Sequence, residues 1–320
     1  VLFRSGHSTG NTDYLIRSNL WSARIKETLL DELMGMKYVE MITDFPDGNT
    51  INIPSIGQAE VHDYDENQEV VYTALDTGNY TFSIDQYKSS ATYITNKFKQ
   101  DSFYADRLIS MFVPTQARAL AVAMETKLLA TPNAGQTASN SNTINGAKHR
   151  YVAGGANQVF TIEDFAKARY ALRKANVPLT NLVAIVDPSV IQTLATQPNV
   201  INLDDNMQWE GIVGDGPTTG MNFRFNVFGF DVYESNYLPN SISETIDTVA
   251  VTNGVANYLF SAAPGVVPMV GLLRQPPVVE SSYNKDKQRE EYITTCRYGF
   301  GFFRPENMVT VLSDNSRVYS

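Results

Sequence analysis

Cysteine is almost missing from this chain: one residue, Cys296, in 320. A lone thiol excludes an intrachain disulfide and a cysteine zinc cluster, and its scarcity fits intracellular assembly. Histidine is nearly as rare. His7, His62 and His149 stand far apart with no H-x-x-x-H or H-x-H pair, so no zinc site is expected. No window reaches the 18 or more apolar residues of a membrane span. The opening stretch Val1–Gly6 has no signal-peptide apolar core and no initiating Met, so a trimmed or incomplete N-terminus is expected. Bases fall short of acids, 25 against 34, for a net charge of −9, and they are scattered along the chain. That balance disfavours wrapping a polyanion. What remains is globular composition, 43% hydrophobic and 18% charged, with a length that suggests about two domains.

The texture changes along the chain. Residues 1–19 are polar and without period, an extended arm. Trp21, Ile25, Leu29 and Leu33 recur every four residues and predict a helix over about 20–35. From 37 to 100 the period becomes two, predicting strands at Lys37–Phe45, Thr50–Ile56, Glu69–Leu75, Tyr80–Ile84 and Thr92–Phe98, with Pro46–Asn49 as a turn. Between Pro46 and Gln86 there are eight acids and no Lys or Arg. Large apolar residues are also few there, so the stretch cannot build its own core, and an isolated hairpin is marginal in water.

A long helix is expected over about 102–130, kinked or restarted at Pro114. Residues 131–158 read as a polar connection and hinge. An α/β unit follows. Thr161 caps a helix to about Asn176 with Phe165, Ala168, Arg169 and Leu172 on one side, and Asn181–Val186 is a buried-type strand. Asp187-Pro188 opens a short helix, and Phe223–Val232 reads as one strand bulged at Gly229. Further strands are expected at 247–252, 277–283, 291–303 and 308–312.

Three motif matches fail on context. Gly6–Gly10 spells G-x-S-x-G, but a nucleophile elbow needs a strand-to-helix turn that five preceding residues cannot supply. Gly214–Gly220 misses G-x-G-x-x-G by one residue and precedes a strand, which makes it a surface loop. Asp63, Asp65, Asn67 and Glu69 copy an EF-hand's alternation, yet Gln68 and Ala74 occupy the positions that require Gly and Glu. No catalytic constellation, cofactor site or metal site is expected.

The order of parts then carries the reading. Leu182–Pro188 before a short helix, the Gly229, Val232, Ser235 and Pro239 pattern, and Tyr298–Val311 with its Arg304–Asn307 step together resemble the tailed-phage major capsid proteins. The resemblance implies an α+β, HK97-type fold: an L-shaped subunit with N-arm, extended loop (E-loop), peripheral domain with a long spine helix, and axial α/β domain. On this chain the parts map to 1–36 (arm and helix), 46–86 (E-loop), 37–45 with 87–157 and 275–320 (peripheral domain, spine about 102–130) and 158–274 (axial domain).

The implied function is a non-enzymatic shell protein that forms pentamers and hexamers of an icosahedral head. It would be assembled in the host cytoplasm and end in the virion, enclosing dsDNA without sequence-specific binding or any membrane. Partners implied are further copies of itself, a scaffolding protein, a portal and a decoration protein. The E-loop acids Asp47, Glu60, Asp63, Asp65, Glu66, Glu69, Asp76 and Asp85 are expected to meet bases of a neighbour, with Arg24, Lys26, Lys88, Lys97, Lys99, Arg107 and Arg118 as candidates. Gly214, Asp215, Gly216, Pro217 and Gly220 are expected near the capsomer axis. Some members of the family crosslink through an E-loop lysine; this loop has none, so non-covalent shells are expected. An encapsulin-type compartment, or less favoured an α/β enzyme, are the alternatives.

Overall fold

A computed structural model describes residues 35–42, 48–56, 62–63, 66, 69, 77–101, 105–136, 142–196 and 223–314. The expected arm and first helix up to residue 34, part of the acidic stretch and the Gly214–Gly220 loop lie outside these residues.

In chain order the strands and helices begin with β1 (Glu40–Ile42), β2 (Thr50–Ile56), β3 (Thr77–Ser83), β4 (Gln86–Thr95), α1 (Asn96–Asp101) and α2 (Ala105–Gly135). There follow β5 (Thr143–Ile144), β6 (Ala147–Lys148), β7 (Arg150–Val152), α3 (Ile162–Lys174), β8 (Leu182–Val186) and α4 (Pro188–Thr196). The last part holds β9 (Phe223–Val227), β10 (Phe230–Glu234), β11 (Ile242–Ile246), β12 (Val249–Ser261), β13 (Met269–Asn284), β14 (Arg289–Phe302) and β15 (Met308–Asp314).

Two sheets organise these elements. The larger runs β7-β15-β12-β8-β10-β9, with β11 beside β12; the smaller runs β1-β13-β14-β4. The run Leu-Val-Ala-Ile-Val of β8 is buried at all five positions because it sits mid-sheet, parallel to β10 and antiparallel to β12. Alternation sorts its side chains between two cores. Val183 and Ile185 join Tyr258 and Phe260 of the large sheet, Cys296 and Tyr298 of the small one, and Leu120, Met124 and Leu128 of α2. Leu182, Ala184 and Val186 join Phe165, Ala168 and Leu172 of α3, with Val190 and Leu194 of α4. Helix α2 thus packs between the two sheets, while α3 and α4 cover the opposite face of the large one.

Local chemistry sets the helix ends. Thr161 and Asp164 form a capping box, the Thr161 N–H donating to Asp164 Oδ2 at 3.0 Å. Asp187 accepts from the Ser189 N–H at 3.0 Å at the start of α4.

Several expectations are corrected. Helix α2 does not restart at Pro114 but runs unbroken from Ala105 to Gly135; one missing N–H is tolerated in a helix whose later turns bury Leu120, Met124, Leu128 and Leu129. The Phe223–Val232 strand is a hairpin: Phe228 and Gly229 have φ of 50° and 84° and form a two-residue turn between β9 and β10. Among the described residues of Lys37–Phe45, the strand runs over Glu40–Ile42, after a 3-10 turn at Gly35–Tyr38. Strand β4 ends at Thr95, where α1 begins. Within 131–158 the chain forms the β5–β6 pair and β7, which lies parallel to β15.

Candidate functional site

The hairpin β2–β3 grows from the end of the small sheet. Its two strands pair from Thr50↔Ser83 to Ile56↔Thr77 and form no ladder with another strand among the described residues. Its root is held firmly. The Ile84 N–H donates to Asn49 O at 2.8 Å, Arg297 Nη2 donates to Asn49 Oδ1 at 2.7 Å, and the Arg274 guanidinium donates to Gly48 O. Ile84, Val270 and Leu272 form a small apolar cluster there, with Ile51 and Phe82 against it. Gly299 and Gly301 permit that approach: a Cβ on Gly299 would stand 2.7 Å from Ser83 O, and one on Gly301 would stand 3.0 Å from Phe82 Cγ.

Beyond the root the side chains lose cover. Asn52, Pro54, Asn79, Tyr80 and Thr81 are exposed, and none of the described residues of β2 or β3 is buried. One exposed cross-strand bond, Thr81 Oγ1 to Asn52 Oδ1 at 2.8 Å, links the two strands. A two-stranded ribbon of this kind needs packing from elsewhere for independent stability.

The charged residues singled out from sequence fall as follows. Asp63, Glu66 and Glu69 are exposed. Asp85, at the root, pairs with Lys127 of α2 at 2.8 Å. Burial acts to raise the Asp85 carboxyl, but hydrogen bonds from Lys127 and Gln86 outweigh it and hold the group below its ordinary value. Lys88 on β4, Lys97 on α1 and Arg118 on α2 are exposed. Lys99 pairs with Glu290 of β14. Asp47, Glu60, Asp65, Asp76, Arg24, Lys26 and the loop residues Gly214, Asp215, Gly216, Pro217 and Gly220 lie outside the described residues, as does the side chain of Arg107. Sequence reading missed the residues that fix the root: Arg274, Arg297 and Lys127 are separated from their partners by long stretches of chain, and no local pattern marks them.

Cys296 is fully buried in a strand, and burial pushes its thiol up to about 11. His149 is buried with Nδ1 3.2 Å from Ala147 O, and burial holds its imidazole below the ordinary value. Among the described residues no group of three or more His, Cys, Asp and Glu side chains could hold a metal ion. No described helix is long and apolar enough to cross a membrane.

Comparison with known proteins gives a consistent picture. Residues 79–311 match the family model described as phage capsid protein. No curated protein sequence matches the chain. The fold is similar to a solved structure from Mycobacterium phage Che8, at 18% identity and TM-score 0.59, covering 88% of this chain and 90% of that one. It is similar to the capsid of the cyanophage P-SCSP1u, at 17% identity and TM-score 0.64, covering 86% of each chain. It also resembles the mature capsid of bacteriophage PhiM1, at 13% identity and TM-score 0.61, with 87% and 86% covered. At these identities the likeness establishes the α+β, HK97-type fold.

Proposed function

We propose an assembly mechanism from one premise: this chain belongs to the phage capsid protein family and is a major capsid protein, a structural component of the virion shell. Five and six copies close into rings, and the rings close into an icosahedral head around dsDNA. The segment 46–86 acts as the E-loop and lies on a neighbouring copy. Such a contact joins two different patches, so it generates rings when the rotation closes.

The observation that carries this reading is the β2–β3 hairpin, anchored at its root and without a buried side chain among its described residues. Burial it lacks within its own chain is supplied by the next copy. The E-loop acids then face Arg24, Lys26, Lys88, Lys97, Lys99, Arg107 and Arg118 across the contact. Each exposed pair contributes only about 0–1 kcal/mol. Repetition over many copies therefore matters more than any one pair. The Gly214–Gly220 loop sits by the capsomer axis, where several copies meet and small residues fit. Residues 1–36 form the arm. The peripheral domain comprises 37–45, 87–157 and 275–320, and the axial domain 158–274. A scaffolding protein and a portal guide assembly in the host cytoplasm, and a decoration protein can bind the outside. Neither an encapsulin-type compartment nor an α/β enzyme is favoured by a described feature.

Negative-stain electron microscopy of the expressed protein, with and without candidate scaffolding protein and alongside sedimentation, tests the reading. Closed shells or rings of five and six are expected. A compact monomer under both conditions would overturn it.

A further inference from the structure

The outer face of α3 concentrates cations that the net charge of −9 conceals. The buried stripe of this helix is Phe165, Ala168, Ala171 and Leu172. Arg169, which the sequence pattern put on that side, is instead exposed together with Lys167, Arg173 and Lys174. Glu163 is the one exposed acid on the helix, since Asp164 is buried in the capping box. The helix dipole accounts for Arg173 and Lys174 in the last turn, but its effect fades within a turn and does not reach Lys167 or Arg169.

Two further observations make this a surface rather than a string of charges. Some cations elsewhere in the fold pair with carboxylates, as in Lys127–Asp85, Lys148–Asp247, Arg150–Glu244 and Arg289–Glu291. Lys167 reaches buried Asp164 at 3.4 Å, whereas Arg169, Arg173 and Lys174 have no carboxylate partner among the described residues. Aromatic rings stand beside them. Tyr170 is 56% exposed with Lys174 Nζ 5.9 Å from its ring, and Phe228, at the adjoining β9–β10 turn, is 45% exposed. Arg169 Nη1 donates to Phe228 O at 2.8 Å, which ties the guanidinium to the turn while the residue stays exposed.

We propose that this face of α3, with Arg169, Arg173 and Lys174 flanked by Tyr170 and Phe228, contacts the phosphate backbone of duplex DNA without reading its sequence. The proposal rests on the capsid reading for the presence of DNA. Lys167 to Lys174 spans about 10 Å of helix, alongside which a duplex presents roughly six phosphates. Arginines four residues apart repel each other in a bare helix, and a polyanion removes that cost. The acid-rich segment of a second copy is a poorer fit: its eight carboxylates are spread over residues 46–86, far below the charge density of a duplex.

The test is fluorescence anisotropy of unassembled full-length subunits with a 30-base-pair duplex across a sodium chloride series. Wild type is compared with R169E/R173E/K174E and with the equally charged control K37E/K285E/K287E. Expected are salt-dependent binding by wild type and control. The α3 variant should bind at least tenfold more weakly at low salt, with a log–log slope reduced by about 2–3. If that variant fails to fold, R173Q/K174Q should still lower the slope by about 1–2.

Absence of salt-dependent binding by wild type overturns the proposal, as does equal loss in the α3 variant and the control. So does an α3 variant that loses shell formation while keeping its DNA affinity, which would assign the face to a contact between copies. Shell formation is read separately by microscopy. Wild type that forms shells but ignores DNA sinks this proposal alone, and wild type that forms none sinks the capsid reading instead.

Discussion

Both carboxylate oxygens of Glu125 lie 3.1 Å from the backbone nitrogen of Gly35, which donates to them across 90 residues of sequence. This contact ties the chain just before β1 to the middle of α2. Burial pushes the Glu125 carboxyl from 4.5 up to about 7, against the lowering effect of the Gly35 N–H. The folded state therefore holds a proton that the unfolded chain releases. The contribution of this group to stability is fully present below about pH 4.5, is lost between about 4.5 and 7, and does not change above. Glu125→Gln should remove that loss and be the more stable form at pH 8, by on the order of 3 kcal/mol. Urea denaturation of both proteins at pH 5 and pH 8 checks this; equal pH dependence in the two would refute it.

Gly299→Ala should loosen the hairpin root. The added Cβ would stand 2.7 Å from Ser83 O and 2.9 Å from Ile84 Cα, and backbone cannot step aside as a side-chain tip can. A loss of about 1–3 kcal/mol is expected. Hydrogen exchange should show the largest gain at Ile84, whose N–H bonds Asn49 O.

Arg150 is nearly buried. Its Nε donates to Glu244 Oε1 at 3.1 Å and its Nη2 to Asn133 Oδ1 at 2.9 Å, joining β7, β11 and the end of α2. Glu244→Ala leaves that charge without its carboxylate and should cost about 3–5 kcal/mol. Arg150→Met with Glu244→Leu should cost clearly less than Glu244→Ala alone. Thermal unfolding of the three proteins decides the order.

Phe228 adopts φ of 50° in the β9–β10 turn. Asparagine tolerates that conformation better than phenylalanine. Phe228→Asn should therefore leave stability unchanged or raise it by about 0.5–1 kcal/mol. A clear drop in melting temperature would mean that the exposed ring contributes packing.

The acid-rich segment holds no lysine between Pro46 and Gln86. Particles boiled in denaturant should run as a single subunit-sized band. A ladder of multiples on a denaturing gel would show covalent crosslinks and contradict this.

Much of the fold was legible locally. Leu182–Val186 announced a buried strand, Thr161 announced a helix start, and Thr50–Ile56 was bounded correctly because alternation and a Pro-Asp-Gly-Asn turn mark it. The misreadings have physical reasons. Phe at a turn position with positive φ carries no turn signal, so β9 and β10 merged into one strand. Pro114 argued for a break because propensity is local, while the packing that sustains α2 comes from two sheets. Arg169 fell on the apolar side by spacing alone, yet its guanidinium turns out to the Phe228 carbonyl.

Composition by itself determined that residues 46–86 could not fold alone, since eight carboxylates with no base and few large apolar side chains leave nothing to form a core. It also determined that one thiol would build no intrachain disulfide. Only the tertiary structure decided what fixes the acidic hairpin, because Arg274 and Arg297 reach Gly48 and Asn49 across more than two hundred residues. It alone decided that the bases clustered at 167–174 would all lie on the exposed side of their helix, Arg169 included. Net charge is a sum over the chain, and a binding surface depends on where folding puts each charge.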